Sequence, residues 1–290
     1  MPLETHSLYG GTVTLVSNFD SKNHSYTVDG KIVDGVTTIL GVLDKPFLTP
    51  WASKMAVTDL GYYERQVWTP KGYVEAPEEE QAIGLARMNA ILEHFKIMTA
   101  DEYWATLHNA KSAHMRKKKE AASIGTLVHA WIEDYIKGDT KKELPNIPKV
   151  RNGVEAFLKW VEHNNVRFQL SEKKVYSKKY KVAGTLDWTA IVNGVPTLGD
   201  IKTSNFFNAE MFWQTSAYQH ARQEEYPEEK YDQQIIVRCG KDGELEVFIS
   251  KEYKKDIKAF AACATIYRRK KTTKKHVPVI QSNTDGTGAN

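Results

Sequence analysis

Between Lys181 and Ser204 the chain alternates apolar and β-branched residues with polar ones, halts at Asn193-Gly194, and resumes: Val182, Leu186, Trp188, Ala190 and Val192 lead in, and Val195 to Ile201 lead out. An alternating run broken by Asn-Gly is the pattern of a two-stranded hairpin. Alternate residues of a strand share a face, so Asp200 and Lys202 are expected to point the same way, with Ile201 in the opposite layer and Asp187 on the partner strand. Residues 167–177 alternate well enough to form a third strand, antiparallel to 182–192, so that three strands meet around the acidic residues.

The remaining pattern frames this hairpin. Residues 12–16 and 24–33 read as short strands, the second a hairpin at Asp29-Gly30, and 34–40 as a turn feeding a short helix. Helical periodicity predicts helices over 52–60, 81–98, 101–137 with a break near Asn109, 150–164, 209–225 and 252–270. Two further strands are expected over 233–238 and 244–249. Residues 62–80 are rich in aromatic, proline and acidic residues and read as a surface loop or flap; the tail QSNTDGTGAN reads as disordered. No internal repeat is present.

Composition narrows the class. With 290 residues, 41% of them hydrophobic, the chain has material for one large domain or two small ones. No run approaches the roughly 18 apolar residues of a membrane span, and MPLETHSLYGG lacks a secretory pattern, so a cytoplasmic location and no membrane partner are expected. Cys239 and Cys263 lack Cys-x-x-Cys spacing, which argues against a disulfide framework, a zinc site or an iron-sulfur cluster. The net charge of +4 is mild, but positive charge gathers at 116–119, 173–181 and 268–275, a weak pointer to a polyanionic partner.

The candidate chemistry sits on the hairpin. Asp187, Asp200 and Lys202 on adjacent central strands are costly to bury unless compensated, and a divalent cation with a phosphate is the compensation that fits. Asp-x-Lys recurs at Asp20, Asp29, Asp139 and Asp256, but in turns or on a helix; only Asp200 has a strand beneath it. One helix earlier, His129 and Glu133 lie one turn apart on a single face; one helix later, so do Gln214 and Tyr218. Each pair alone also has an ordinary structural reading, edge charges turned to solvent or a surface salt link. Their order along the chain narrows the choice.

In that order GTLVHAWIE, AGTLDW, LGDIKTS and QTSAY resemble the successive motifs of the RecB-like branch of the PD-(D/E)XK nucleases, close to phage-type exonucleases and the mitochondrial genome maintenance exonuclease. The resemblance is strong over about 120–220 and looser over VDGVTTILGVLDKPFLTPWASKMA. It implies an α/β fold of the α+β type: a mixed, mainly antiparallel central sheet flanked by helices, as in restriction endonucleases, with an N-terminal β and helical extension. The expected divisions are 1–110, a DNA-gripping region; 111–272, the nuclease core; and 273–290, the tail. Carried over by position, His129, Asp187 and Asp200 become metal ligands with the carbonyl of Ile201 as a fourth. Lys202 becomes the group that positions the attacking water, Gln214 and Tyr218 the pair that supports it or grips DNA, and Glu133 the motif acid of the first helix. Leu186 stands where many relatives have proline before the aspartate, and the cluster-binding cysteines of some relatives are missing, so magnesium or manganese is the expected cofactor and no iron-sulfur cluster is.

The implied activity is metal-dependent hydrolysis of DNA phosphodiesters from free ends, preferring single strands, in recombination, repair or replication of a phage-like kind. Recombination or replication proteins are the expected protein partners, and a host cytoplasm the location if the gene is a phage's. Aromatic residues interspersed with bases, Trp51 with Lys54, Tyr62 and Tyr63 with Arg65, and Trp68 with Lys71, suit stacking of unpaired bases beside a tracked backbone. His114 and Lys118, with Arg116 and Lys117 nearby, form a second basic group, and Tyr218 is a further DNA-contact candidate. Two competing readings are a nuclease-fold DNA-binding accessory with little catalysis and a structure- or site-specific endonuclease.

Overall fold

The computed structural model describes residues 3–19, 24–43, 45–69 and 71–273. The tail from 274 onward lies outside the described residues, as does the side chain of Trp68. Four strands open the chain, β1 (Glu4–Leu8), β2 (Val13–Phe19), β3 (His24–Val28) and β4 (Lys31–Gly35), before the short helix α1 (Val36–Leu40). There follow α2 (Leu48–Asp59), the hairpin β5 (Gln66–Thr69) and β6 (Gly72–Glu75), α3 (Glu78–Phe95), α4 (Ala100–Lys111), α5 (Ala113–Ile136) and α6 (Pro148–His163). The chain then runs β7 (Val166–Ser177), β8 (Val182–Val192), β9 (Val195–Lys202), α7 (Glu210–Glu225), β10 (Gln233–Cys239), β11 (Leu245–Ser250) and α8 (Tyr253–Thr273).

The fold is α+β, with a mixed, mostly antiparallel central sheet flanked by helices. Among the described residues nine strands form it, in the order β1-β2-β3-β4-β8-β9-β10-β11, with β7 pairing β8 off this path. Only β4 with β8 and β9 with β10 run parallel. The β8–β9 hairpin turns at Asn193-Gly194 with both residues at positive φ, which matches the twist of the flanking strands and sets Val192 opposite Val195. Parallel β9 and β10 need a crossover, and α7 supplies it.

Apolar packing fixes this arrangement. Trp188 on β8 is fully buried and meets Trp160 of α6 at 5.4 Å and Phe168 of β7 at 5.7 Å between ring centroids. Gly199 on β9 is what admits that indole, since a Cβ there would lie 1.9 Å from the Trp188 ring. A second cluster joins Val182, Leu186, Ala217, Tyr218 and Phe260, packing α7 and α8 onto β8. A third holds Leu8, Leu15, Tyr26, Tyr176 and Ala183, so the N-terminal strands share a core with β7 and β8. The Tyr9 hydroxyl, just past β1, donates to the Tyr176 carbonyl on β7 at 2.8 Å. The sheet thus curls until β1, at one end of the strand order, approaches β7.

Residues 1–43 and 128–290 form one compact unit and 44–127 another. Strands β1 to β4 pack with the core strands, so the divisions 1–110, 111–272 and 273–290 follow the order of sequence features rather than these units. Residues 62–80, expected to be an irregular flap, contain the β5–β6 hairpin, with Gln66 to Thr69 paired to Glu75 to Gly72 and Gly72 at φ +112. Strands of four residues are too short for alternation to stand out from their aromatic and acidic surroundings. β1 was not expected either: Glu4-Thr5-His6-Ser7 is polar because three of these four residues are exposed. Helix α2 begins at Leu48 rather than near 52, because Pro50 falls in the first turn, where its missing N–H has no partner to lose.

Candidate active site

All of the expected metal and catalytic residues lie in the unit made of 1–43 and 128–290. The β8–β9 ladder ends at Trp188 and Gly199. One residue further, the Asp187 side chain continues it: Oδ2 accepts the Ile201 N–H at 2.8 Å, tying β9 to β8 and fixing the carboxylate. The same oxygen lies 3.5 Å from Nδ1 of His129 on α5. On the other edge of β8, the pairs Ser171 with Trp188 and Lys173 with Leu186 frame Glu172 opposite Asp187. Glu172 is at φ +49, which interrupts the pleat. One ligand atom from each of His129, Glu172 and Asp187 lies within 4.8 Å of the others.

Asp200 and Lys202 stand beside this trio on β9. Asp200 is 1% exposed, and neither carboxylate oxygen meets an aligned hydrogen-bond donor; its counter-charge is the Lys202 ammonium, in direct ion-pair contact. Burial pushes the Asp200 carboxyl well above the ordinary carboxylate range, with Lys202 opposing and Asp187 adding to the rise. Burial would lower the Lys202 ammonium, but the Asp200 and Asp187 carboxylates outweigh it and raise it. Lys202 therefore stays protonated at neutral pH, an electrostatic group rather than a base.

Glu172 is pushed up to about 8, by burial first, then by Asp187 and Glu133, against Lys174 and Lys137. Burial is the first cause for both carboxyls and the neighbouring carboxylates add to it, so the lysines offset this acid only in part. Two oxygen donors and an imidazole that converge, beside a buried carboxylate without an aligned donor, fit a divalent cation of the magnesium or manganese kind.

Gln214 and Tyr218 are joined on α7, where Gln214 Nε2 donates to the Tyr218 hydroxyl at 2.9 Å. The Tyr218 ring lies against Gly184 of β8, where a Cβ would sit 2.3 Å from it. Burial holds the phenol well above its usual range, with Tyr26 and the Asp200 and Asp187 carboxylates adding and Gln214 opposing. Glu133, one turn from His129, pairs with Lys137 and is not among the converging donors. Glu172 is the residue that sequence reasoning missed. The signal was available: counting pairs back from Ser177 and Val182 sets 172 against 187.

The expected DNA contacts other than Tyr218 lie in the unit 44–127. There Trp51 meets His114 edge to face at 6.4 Å, Lys54 pairs with Glu64 at 2.7 Å, and Lys118 is exposed. Arg116 is held by Asp59 at 2.7 Å, and the Arg65 guanidinium lies 5.8 Å from the Tyr63 ring centroid. No protein-family model matches the chain, and no curated protein matches it in sequence.

Proposed function

We propose that the protein is a divalent-metal-dependent deoxyribonuclease that hydrolyses phosphodiester bonds from free ends of single-stranded DNA. The observation that carries this reading is the convergence of His129, Glu172 and Asp187 beside the buried Asp200–Lys202 pair. Those four acid and imidazole side chains, with the Ile201 carbonyl, would hold magnesium or manganese. Such an ion supplies a bound water of lowered pKa and charge stabilisation at the phosphoryl oxygens. Lys202, kept cationic by its two aspartates, orients the attacking water and offsets the charge that develops on the phosphorane. Gln214 donates to the Tyr218 oxygen, so the phenol proton is left to bond a phosphate oxygen, and the raised phenol pKa keeps that proton in place.

The preference for single-stranded ends is supported by the motif resemblance and by the aromatic and basic residues of 44–127. A DNA-binding accessory with little catalysis is the weaker reading, because gathered carboxylates repel phosphate unless a cation lies between them. The experiment is to incubate labelled linear single-stranded, linear duplex and closed circular single-stranded DNA with the protein and manganese or magnesium. The linear single strand should shorten while the circle survives; equal early degradation of both rejects end dependence. Asp200→Ala and Lys202→Ala should each bind DNA yet cut at least about a hundredfold more slowly, and turnover within about threefold of wild type rejects the site.

A further inference from the structure

Where the curled sheet brings β1 toward β7, a cleft of about 470 Å³ opens that shares no residue with the candidate metal centre. Its size is that of a small-ligand site, for which about 300–1,000 Å³ is usual. His6 and Ser7 line it from β1, Lys173 and Lys174 from β7, and Arg222 and Tyr226 from the end of α7. Three permanent cations thus face one space whose lining includes no carboxylate.

The cations are not equivalent. Arg222 is held by Glu229 through two hydrogen bonds, at 2.8 and 2.5 Å, and lies 3.6 Å over the Tyr226 ring, so its charge is offset and its position fixed. Lys173 is exposed and has no ion pair among the described residues. The imidazole of His6 on the opposite wall feels both lysines. Burial is the largest cause of its lowered pKa, followed by Lys174, with Lys173 adding and Glu4 on its own strand opposing. Its other polar neighbour is Ser17 of β2, at 3.3 Å.

We infer that this cleft binds a phosphate group, either a phosphate monoester or a phosphodiester of a nucleic-acid strand. Lysine ammonium groups bind phosphate as point charges, and the Thr5 and Ser7 hydroxyls across the gap supply neutral donors. The tetrahedral phosphoryl group of a monoester dianion or a diester monoanion presents its oxygens in more than one plane, which suits donors on two walls better than the coplanar oxygens of a carboxylate do. The inference stands on β1, β7 and the end of α7 and uses no step of the proposed nuclease chemistry, although Lys174 also acts on Glu172.

The test uses the full chain in EDTA and follows the His6 imidazole by NMR. Four probes are titrated: inorganic phosphate, one short single-stranded oligonucleotide with and without a 5′-phosphate, and a polyglutamate peptide as the carboxylate control. An occupying phosphate offsets the lysines, so His6 should titrate at higher pH once the probe is bound. Lys173→Ala/Lys174→Ala should abolish that response and weaken the probe about tenfold or more through loss of two charge-assisted contacts. The Arg/Arg counterpart should retain both. In the double alanine variant without probe, His6 should move up only part of the way, because burial, the largest cause, remains, and retained amide dispersion in the same spectra establishes that the variant is folded.

A response to inorganic phosphate and to the 5′-phosphorylated strand alone identifies a monoester site. Equal responses to both oligonucleotides, with the salt slope of binding reduced by about 1.4 in the double alanine variant, identify a phosphodiester track. A folded double alanine variant that still responds like wild type overturns the inference. So does a wild-type His6 that moves only with a polyglutamate peptide, or with no probe at all. None of these outcomes depends on cleavage, so a failed nuclease assay and a failed phosphate site remain distinguishable.

Discussion

Glu172 holds φ +49 in the middle of a twelve-residue strand, a conformation that costs a non-glycine residue about 1–3 kcal/mol. Its carboxylate is also half-buried beside Asp187, which adds repulsion. Glu172→Gln should therefore act with opposite signs on two observables: a higher melting temperature in EDTA, and a manganese requirement raised about tenfold or more in activity titrations. Superimposed titrations would remove Glu172 from the donor set. Gly184 matters to the same site from the other side of β8, through the Tyr218 ring. Gly184→Ala should displace the Tyr218 ring, costing about 1–3 kcal/mol in urea unfolding together with activity, whereas Tyr218→Phe should lose activity alone. If Gly184→Ala unfolds like wild type, the Tyr218 ring yields to a methyl group at no cost. The positions of Asp187, Asp200, Lys202, Gln214 and Tyr218 were legible because each falls on a strongly periodic element. Glu172 was hidden in the polar run Ser-Glu-Lys-Lys, where charge drew attention to the lysines and only strand register reveals the acid.

Helix α7 joins the two parallel strands through polar as well as apolar contacts. Gln234 of β10 donates to Ser216 at 3.0 Å and to Gln219 at 2.9 Å, and beyond the helix Glu229 accepts from Arg222 and from the Tyr231 hydroxyl. Burial alone would raise the Glu229 carboxyl, but these hydrogen bonds outweigh it and hold it below its usual value. A carboxyl depressed on folding adds stability above its unfolded pKa, about 4.3, and that stability is lost as pH falls through the folded value. Glu229→Gln should thus lower stability at pH 7 and leave it nearly unchanged at pH 2 by urea titration; an equal cost at both would show that the loss is packing. Helices were the most legible elements, since a 3.6-residue period persists over many turns. The parallel pairing of β9 with β10 was not, because local alternation carries no record of which distant strand lies alongside.

The unit 44–127 is inserted in the chain between α1 and the second half of α5, and the sequence offered no Gly- or Ser-rich linker to announce it. If its aromatic and basic residues grip DNA, Trp51→Ala with Lys118→Ala should weaken oligonucleotide binding several-fold and leave manganese binding unchanged. A parallel fall in manganese affinity would mean that the double variant disturbs the fold instead. The insertion also lengthens a wait. β4 meets β8 through Asp34 with Val182 and Gly35 with Ala183, so the N-terminal meander finds its neighbour only after a further stretch of chain has been made. At ordinary synthesis rates that takes about 7 to 30 s, against the roughly 1–10 μs in which a hairpin forms. Through that interval on the ribosome β1 to β4 have no β8 to cover their open side, and the nascent chain exposes a strand edge to its neighbours on the same message.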